Sequence, residues 1–210
     1  MIFEKGVVET MKRKSFTFFL LLAVAALVII PSSIGVKAEE TKLAIGTPLE
    51  AFSLSDINGK TLSTKEFKGS KGTVFIFLSA QCPVVKGYVE RIQAVAKDYN
   101  DKGIAFVGIN SNSTESLDWV KSNAEANYKF PVLIDTGNKI ADKWGATVTP
   151  EVYFFGADGK LAYRGGIDND RRGENITKNY LRDALDSALG GKAIAEKETN
   201  AFGCTIKRAE

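Results

Sequence analysis

The residue of this chain best placed for chemistry is a cysteine at the end of an apolar run. Cys82 follows the run Thr73 to Leu78 and directly precedes Pro83, and proline is favoured in the first turn of a helix. This order predicts that Cys82 caps a helix beginning at the carboxyl end of a buried strand. Unpaired N–H groups and the helix dipole stabilise a thiolate there, and the thiolate is the nucleophilic form. We therefore interpret Cys82 as a reactive thiol, the alternative being a small buried hydrophobic residue.

The rest of the composition excludes several classes of catalytic and metal site. The chain has two cysteines, Cys82 and Cys204, and no histidine. Cys-His proteases, imidazole metal sites and histidine-ligated haem are thereby excluded. Two thiols alone make a poor zinc site, so we expect no metal, and thiol chemistry needs no bound cofactor. A chain of this length forms a core without disulfides, so two cysteines indicate redox chemistry more than a disulfide framework.

The first 38 residues have the pattern of an export signal. Lys12, Arg13 and Lys14 precede the uncharged run Phe16 to Ile30, and small residues lead to Ala38. We expect cleavage after Ala38 and a periplasmic or secreted protein, with an uncleaved membrane anchor as the alternative. This segment holds five of the 28 basic and two of the 25 acidic residues, which leaves 23 of each. A neutral mature chain offers no electrostatic basis for binding nucleic acid, and membrane contact is expected only through the N-terminal segment.

Downstream of the signal, hydrophobic periodicity predicts alternating strands and helices. From Pro83, apolar residues recur at steps of three and four up to Gly103, as in an amphipathic helix. The run 104–109 then completes a β-α-β unit, which makes its two strands parallel. Thr114 is the expected cap of the next helix, which carries Leu117, Val120 and Ala124. The remaining predicted strands are 52–54, 60–62, 131–134, 151–155 and 160–164, and the remaining helices are 140–144 and 181–189.

The order of these elements predicts an α/β fold with a mixed central β-sheet flanked by helices and with an αβ insertion. Trp119 and Trp144 are expected in its core. Ligands of such folds gather at the carboxyl ends of the strands. Cys82 follows a strand directly, so it is expected at that edge.

Three segments resemble the alkyl hydroperoxide reductase/thiol-specific antioxidant superfamily of thioredoxin-fold redoxins, which includes the peroxiredoxins. They are the strand-Cys-Pro-helix segment 78–83, the strand 104–110, and the segment 146–155, which is similar to the cis-proline segment of that family. The resemblance implies a thioredoxin-like fold in which Pro150 is the cis-proline. It also implies that the loop before this proline lies beside the cysteine and pairs with an extended thiol or disulfide substrate. Thr149 and Pro150 are therefore the expected substrate-binding residues.

The chain also departs from that family. Val85 replaces the second cysteine of a Cys-x-x-Cys pair, so an adjacent-dithiol mechanism is impossible. Peroxiredoxins usually have proline seven residues and threonine three residues before the nucleophile, where this chain has Phe75 and Ser79. The absence of that proline weakens the case for peroxide reduction. Neither Arg91 nor Arg164 lies in a motif that would mark it as the arginine beside a peroxidatic thiolate.

Cys204 lies beyond the last helix, on a charged tail interrupted by Gly190 and Gly191. Peroxiredoxins often keep a resolving cysteine in such a tail, where it condenses with a sulfenic acid to form a disulfide. Phe202, Gly203 and Ile206 indicate a tail that docks on the domain. A purely structural disulfide between Cys82 and Cys204, or an unpaired surface thiol, are the alternatives at this point.

The predicted organisation is a signal peptide or anchor at 1–38, a thioredoxin-like redoxin domain at 39–190 and a C-terminal tail at 191–210. The predicted function is an exported thiol-dependent oxidoreductase. Cys82 is the expected nucleophile on a peroxide or protein disulfide, Cys204 the expected resolving thiol, and an external dithiol the reductant. The alternatives are a thiol-disulfide exchange protein acting on partner proteins, and a non-catalytic module that binds an extended peptide beside Pro150.

Overall fold

The computed structural model describes residues 42–209 of the chain. The predicted signal peptide or anchor at 1–38 lies outside the described residues. Within residues 42–209, no helix combines the length and the apolar character needed to cross a membrane.

The described part of the chain alternates between strands and helices, close to the predicted order. The strands are β1 (Ser53–Asp56), β2 (Thr61–Ser63), β3 (Gly72–Leu78), β4 (Ile104–Asn110), β5 (Val132–Ile134), β6 (Val148–Thr149), β7 (Glu151–Gly156), β8 (Leu161–Gly165) and β9 (Cys204–Thr205). The helices are α1 (Pro83–Asn100), α2 (Leu117–Asn127), α3 (Lys139–Trp144) and α4 (Tyr180–Leu189), and a 3-10 turn spans Thr64–Phe67.

Seven strands form one mixed sheet in the order β2-β1-β5-β4-β3-β7-β8. Strands β3, β4 and β5 are parallel, as the β-α-β pattern predicts, while β7 is antiparallel to β3 and β8 to β7. The remaining strands, β6 and β9, pair with each other in a separate two-stranded ladder. The predicted mixed sheet and the α2–β5 insertion are therefore confirmed.

Helices cover both faces of the sheet. In β3, alternate side chains point to opposite faces, and all seven residues are buried. Val74 and Ile76 pack in one core with α1, α2 and α4, whereas Phe75 and Phe77 pack in a second core with Trp144 of α3. Burial on both faces explains why the sequence of β3 is a nearly continuous apolar run, without alternating polar residues.

Two local predictions about α2 are wrong. The helix is capped by Ser116, whose hydroxyl accepts a hydrogen bond from Trp119 N at 3.3 Å, and not by Thr114. Trp119 is 54% exposed instead of buried. Only Val120 and Ala124, one turn apart, face the core from this helix, and Trp119 lies about 100° around the helix axis from Val120.

Candidate redox site

The candidate site lies at the carboxyl edge of the parallel strands, where α1 begins. Cys82 is the N-cap of α1, and Pro83 is in its first turn, as predicted. The Cys82 side chain makes no cap hydrogen bond, but it lies at the N-terminal end of α1, where the helix dipole is positive. The residue is only 3% exposed. The arrangement favours negative charge on this sulfur whenever it is not bonded.

A partly buried carboxylate holds the loop between β3 and Cys82. Glu115 accepts hydrogen bonds from the hydroxyl of Ser79 at 2.5 Å and from the backbone N–H groups of Ala80 at 2.9 Å and Gln81 at 3.0 Å. The Ser79 hydroxyl in turn accepts a bond from Cys82 N at 3.0 Å. Asn110, at the end of β4, donates its Nδ2 to Glu115 at 2.6 Å. Glu115 therefore fixes the backbone that carries Cys82.

The proline segment lies on the other side of Cys82. The Thr149–Pro150 peptide bond is cis, which confirms the cis-proline expected from the resemblance. The Cys82 sulfur lies 3.5 Å from the carbonyl oxygen of Thr149. The Thr149 hydroxyl is buried and has no hydrogen-bond partner. Thr149 and Pro150 thus lie beside Cys82, as predicted, although binding of a substrate there stays a prediction.

A second carboxylate, which is fully buried, shapes the proline segment. Glu151 is buried and accepts bonds from Thr147 N at 2.9 Å and Val148 N at 3.4 Å. The phenol of Tyr153 donates to the carbonyl of Trp144 at 3.1 Å and to Glu151 at 3.4 Å. Burial, reinforced by the nearby Glu151 charge, raises the pKa of Tyr153 well above its usual value of 10. Tyr153 therefore stays a neutral donor that helps to hold this segment.

The C-terminal tail runs along the proline segment as an added strand. β9 pairs antiparallel with β6, with Cys204 opposite Thr149 and Thr205 opposite Val148, and Ile206 N donates to Thr147 O at 2.9 Å. The docked tail expected from Phe202, Gly203 and Ile206 is thus observed. Ile206 is buried in the core that contains Trp144.

Further contacts hold the tail after Cys204. Lys207 N donates to Asn112 Oδ1 at 3.0 Å, and Ser113 N donates to Lys207 O at 3.0 Å. Ala209 N donates to Asn138 Oδ1 at 2.8 Å. These partners come from the β4–α2 and β5–α3 loops, so the end of the tail is bound to the same edge of the sheet as Cys82.

The tail is also held before Cys204. Arg164 N donates to Lys197 O at 2.9 Å, and Thr199 N donates to Arg164 O at 3.1 Å. The Thr199 hydroxyl accepts a bond from Gly166 N at 3.0 Å. Cys204 is therefore positioned by backbone contacts on both sides, independently of its own sulfur.

Cys82 and Cys204 are joined by a disulfide, with Cα atoms 6.0 Å apart across 122 residues of sequence. Of the alternatives left open by the sequence, an unpaired surface thiol at Cys204 is thereby wrong. The pair can store two electrons when the disulfide is reduced to two thiols. The disulfide itself is compatible with a redox-active or a structural role.

Neither arginine considered from the sequence is bonded to this sulfur pair. Arg91 donates to Asp168 at 2.6 Å and to the carbonyls of Asp170 and Gly87, on the loop beside α1. The Arg164 guanidinium donates to Glu198 at 2.8 Å. Both guanidinium groups therefore serve the packing of loops and tail.

Sequence reasoning missed Glu115 altogether. It lies in the loop after β4, and β4 pairs in parallel with the strand that precedes Cys82. A signal was available, because the carboxyl ends of adjacent parallel strands meet at one edge, and a polar residue after the neighbouring strand is a candidate for that edge. The same reasoning would have selected Asn110.

Gly203 is expected to be essential for docking the tail. A Cβ at this position would overlap the carbonyl group of Thr149. We expect Gly203→Ala to push β9 away from β6 and to lower the free energy of unfolding of the oxidised protein by about 2 kcal/mol. Urea unfolding, followed by tryptophan fluorescence, measures the change.

Gly87→Ala is the matched control for Gly203→Ala. Gly87 lies within α1, and a Cβ there would meet nothing closer than the Arg171 carbonyl at 4.0 Å. Alanine favours a helix over glycine by about 1 kcal/mol, so this variant should be as stable as the wild type or more stable. Equal stability of the two variants would contradict the close contact at Gly203.

Comparison with known proteins agrees with this geometry. The model of the AhpC/TSA family matches residues 45–164. The thiol-disulfide oxidoreductase ResA of Bacillus cereus is 27% identical over 150 residues, which cover 68% of this chain and 84% of that protein. The crystal structure of an uncharacterized conserved protein from Geobacillus kaustophilus is 34% identical, with a TM-score of 0.74, over 79% of this chain and 93% of that one.

A thioredoxin family protein of Chlorobium tepidum, described as a thiol:disulfide interchange protein, shares the fold at 24% identity, with a TM-score of 0.56, over 70% of this chain and 99% of that one. The predicted thioredoxin-like fold is therefore confirmed. The predicted class of activity, a thiol-dependent oxidoreductase, is confirmed at the level of the family. The family model covers more than half of the chain, and the chain belongs to the AhpC/TSA family.

Proposed function

We propose that this protein is an extracytoplasmic thiol-disulfide oxidoreductase whose redox centre is the Cys82–Cys204 pair. One observation carries the proposal. The disulfide joins the N-cap of α1 to a strand that pairs with the segment before the cis-proline. A helix N-terminus is where a thiolate is stabilised. A disulfide that only stabilises the fold is never reduced, so it gains nothing from a position that stabilises a thiolate.

The pair cycles between a disulfide and a dithiol, and an external dithiol supplies the two electrons. Cys82 provides the thiolate that the helix stabilises, and Cys204 provides the second sulfur. Thr149 and Pro150 hold the extended strand that carries the reacting thiol. In this structure that strand is the chain's own tail. The cycle needs no bound cofactor.

Disulfide exchange is favoured over peroxide reduction by the surroundings of Cys82. A peroxide needs hydrogen-bond donors beside the thiolate. The donors of the preceding loop, the Ser79 hydroxyl and the N–H groups of Ala80 and Gln81, are all bonded to Glu115. The Glu115 carboxylate also adds negative charge beside the loop that carries Cys82, and such charge opposes the negative charge that develops on the departing oxygen of a peroxide. A protein disulfide does not require such donors, and the similarity to ResA, a relative named as a thiol-disulfide oxidoreductase, supports this choice.

The extracytoplasmic location rests on the segment 1–38, with its basic start, apolar run and small residues. Cleavage after Ala38 would release the domain, whereas retention of the segment would anchor it at the membrane surface. Expression with and without residues 1–38, followed by cell fractionation and N-terminal sequencing, distinguishes these outcomes. Recovery of the full-length chain in the cytoplasm would contradict export.

The activity is tested by reduction of a protein disulfide such as that of insulin, with dithiothreitol as electron donor, and by consumption of hydrogen peroxide under the same conditions. We expect the wild type to accelerate insulin reduction, and Cys82→Ser and Cys204→Ser to fall to the rate without enzyme. Peroxide consumption that is faster than insulin reduction would reverse the choice of substrate. A third outcome is that neither assay shows activity and that dithiothreitol leaves the disulfide of the native protein intact. This outcome would favour the peptide-binding module.

A further inference from the structure

The two cysteines of the disulfide differ in their exposure to solvent. Cys82 is 3% exposed and belongs to the core with Val85 and Val152. Cys204 is partly exposed, and Phe202, Gly203 and Thr205 around it are exposed. A thiolate attacks a disulfide at one sulfur only, and access is one of the factors that select it. The surface therefore presents Cys204 to an incoming thiol and shields Cys82.

The tail itself produces this difference. Thr149, opposite Cys204 in the ladder, is buried, and Gly203 lies against the Thr149 carbonyl so closely that a Cβ would not fit. The cis-proline segment, where an extended peptide would add a strand, is already paired with β9. A partner that is to reach Cys82 must first displace this strand, but a partner that reaches Cys204 need not.

Charge and leaving-group chemistry act in the same direction. The approach to Cys82 along the loop 79–81 meets the Glu115 carboxylate, which repels an anionic thiolate. The sulfur that leaves is Cys82, at the N-terminus of α1. A sulfur whose thiolate is stabilised leaves faster.

From these observations we propose that external thiols exchange at Cys204 and that Cys82 is the buried leaving and resolving sulfur. The proposal rests on the function proposed above. It reverses the order expected from the peroxiredoxin resemblance, in which Cys82 reacts first and Cys204 resolves. The family provides the fold and the helix-capping cysteine, while the added tail strand selects the sulfur that partners reach.

A partner thiolate attacks Cys204 Sγ, the Cys82–Cys204 bond breaks, and the bonding pair leaves on Cys82 as a thiolate. The second thiolate of the partner then attacks the partner sulfur of the mixed disulfide, so that the partner disulfide forms and Cys204 leaves as a thiolate that takes a proton from water. The partner loses two electrons and the Cys82–Cys204 pair gains them. In the opposite direction, Cys204 attacks a substrate disulfide and Cys82 releases the reduced substrate.

The site of exchange is read by trapping with glutathione. Oxidised wild-type protein is mixed with glutathione, quenched with N-ethylmaleimide after short times and digested with trypsin, which places Cys82 on peptide 72–86 and Cys204 on peptide 198–207. We expect glutathione on peptide 198–207 and maleimide on peptide 72–86, with at least a tenfold excess over the reverse. Glutathione on peptide 72–86 in equal or greater amount would overturn the proposal.

Single-cysteine variants give a second reading that needs no transient species. In Cys82→Ser and in Cys204→Ser, the remaining thiol is reacted with oxidised glutathione at pH 9, where a thiol of ordinary pKa near 8.5 is mostly ionised, so that access decides the rate. We expect Cys204 to form its mixed disulfide at least ten times faster than Cys82. A faster reaction of Cys82 would overturn the proposal. A native disulfide that no thiol reduces would instead contradict the proposed function.

Discussion

Reduction of the Cys82–Cys204 disulfide should lower the free energy of unfolding by about 4 kcal/mol. The bond closes a loop of 122 residues, and a cross-link over a long loop removes much of the conformational freedom of the unfolded chain. The native state gains little freedom on reduction, because the tail is held on both sides of Cys204 by backbone hydrogen bonds. Urea unfolding of the oxidised protein, with and without a phosphine reductant, measures the difference.

Cys204→Ser is the control for this experiment. It cannot form the bond, so its unfolding midpoint should be the same with and without reductant and close to that of the reduced wild type. A reductant effect in the variant would assign the change to something other than the disulfide. A difference below about 1 kcal/mol in the wild type would mean that the unfolded chain gains little freedom, or that the native fold strains the bond.

Replacement of Glu115 by alanine should strongly destabilise the loop that carries Cys82. It removes the acceptor of four hydrogen bonds, from the Ser79 hydroxyl, two backbone N–H groups and Asn110 Nδ2. Donors left without a partner in a partly buried place each cost about 1–3 kcal/mol, and water at the exposed Gln81 relieves part of this. We expect the free energy of unfolding to fall by about 3 kcal/mol, as measured in urea on the reduced protein.

Two further variants make the Glu115 experiment specific. Glu115→Gln keeps the shape but turns one acceptor into a donor that faces other donors, and should cost about 2 kcal/mol. Glu125→Ala removes a glutamate from α2 that is exposed and lies 3.9 Å from Lys121, and should change stability by less than about 0.5 kcal/mol. If Glu115→Ala were as mild as Glu125→Ala, the carboxylate would not be what holds the Cys82 loop.

The glutathione mapping and these stability measurements are independent of one another. Loss of the loop structure in Glu115→Ala would alter how Cys82 is held but would leave the pairing of β6 with β9 in place. Loss of tail docking in Gly203→Ala would uncover Cys82, and would then let external thiols reach it. The combination of Gly203→Ala with the mapping experiment therefore separates the effect of the tail from that of the loop.

The two wrong predictions for α2 have different causes. Thr114 and Ser116 are both suitable caps, and local sequence does not choose between them. The choice follows from the Glu115 side chain, which turns back to the loop before Cys82, so that the helix begins after it. Trp119 was expected in the core because of its residue type, but only one narrow face of α2 packs inward.

What the sequence determined by itself was local in origin. The strand that ends before Cys82, the proline that starts α1 and the apolar periodicity along α1 are patterns over a few neighbouring residues, so they predict the sheet, the helix cap and the family. The pairing of Cys204 with Cys82 and the hold of Glu115 on the Cys82 loop were decided only by the tertiary structure. Each joins segments 34 to 122 residues apart, and such contacts depend on strand order and tail docking, which no local pattern encodes.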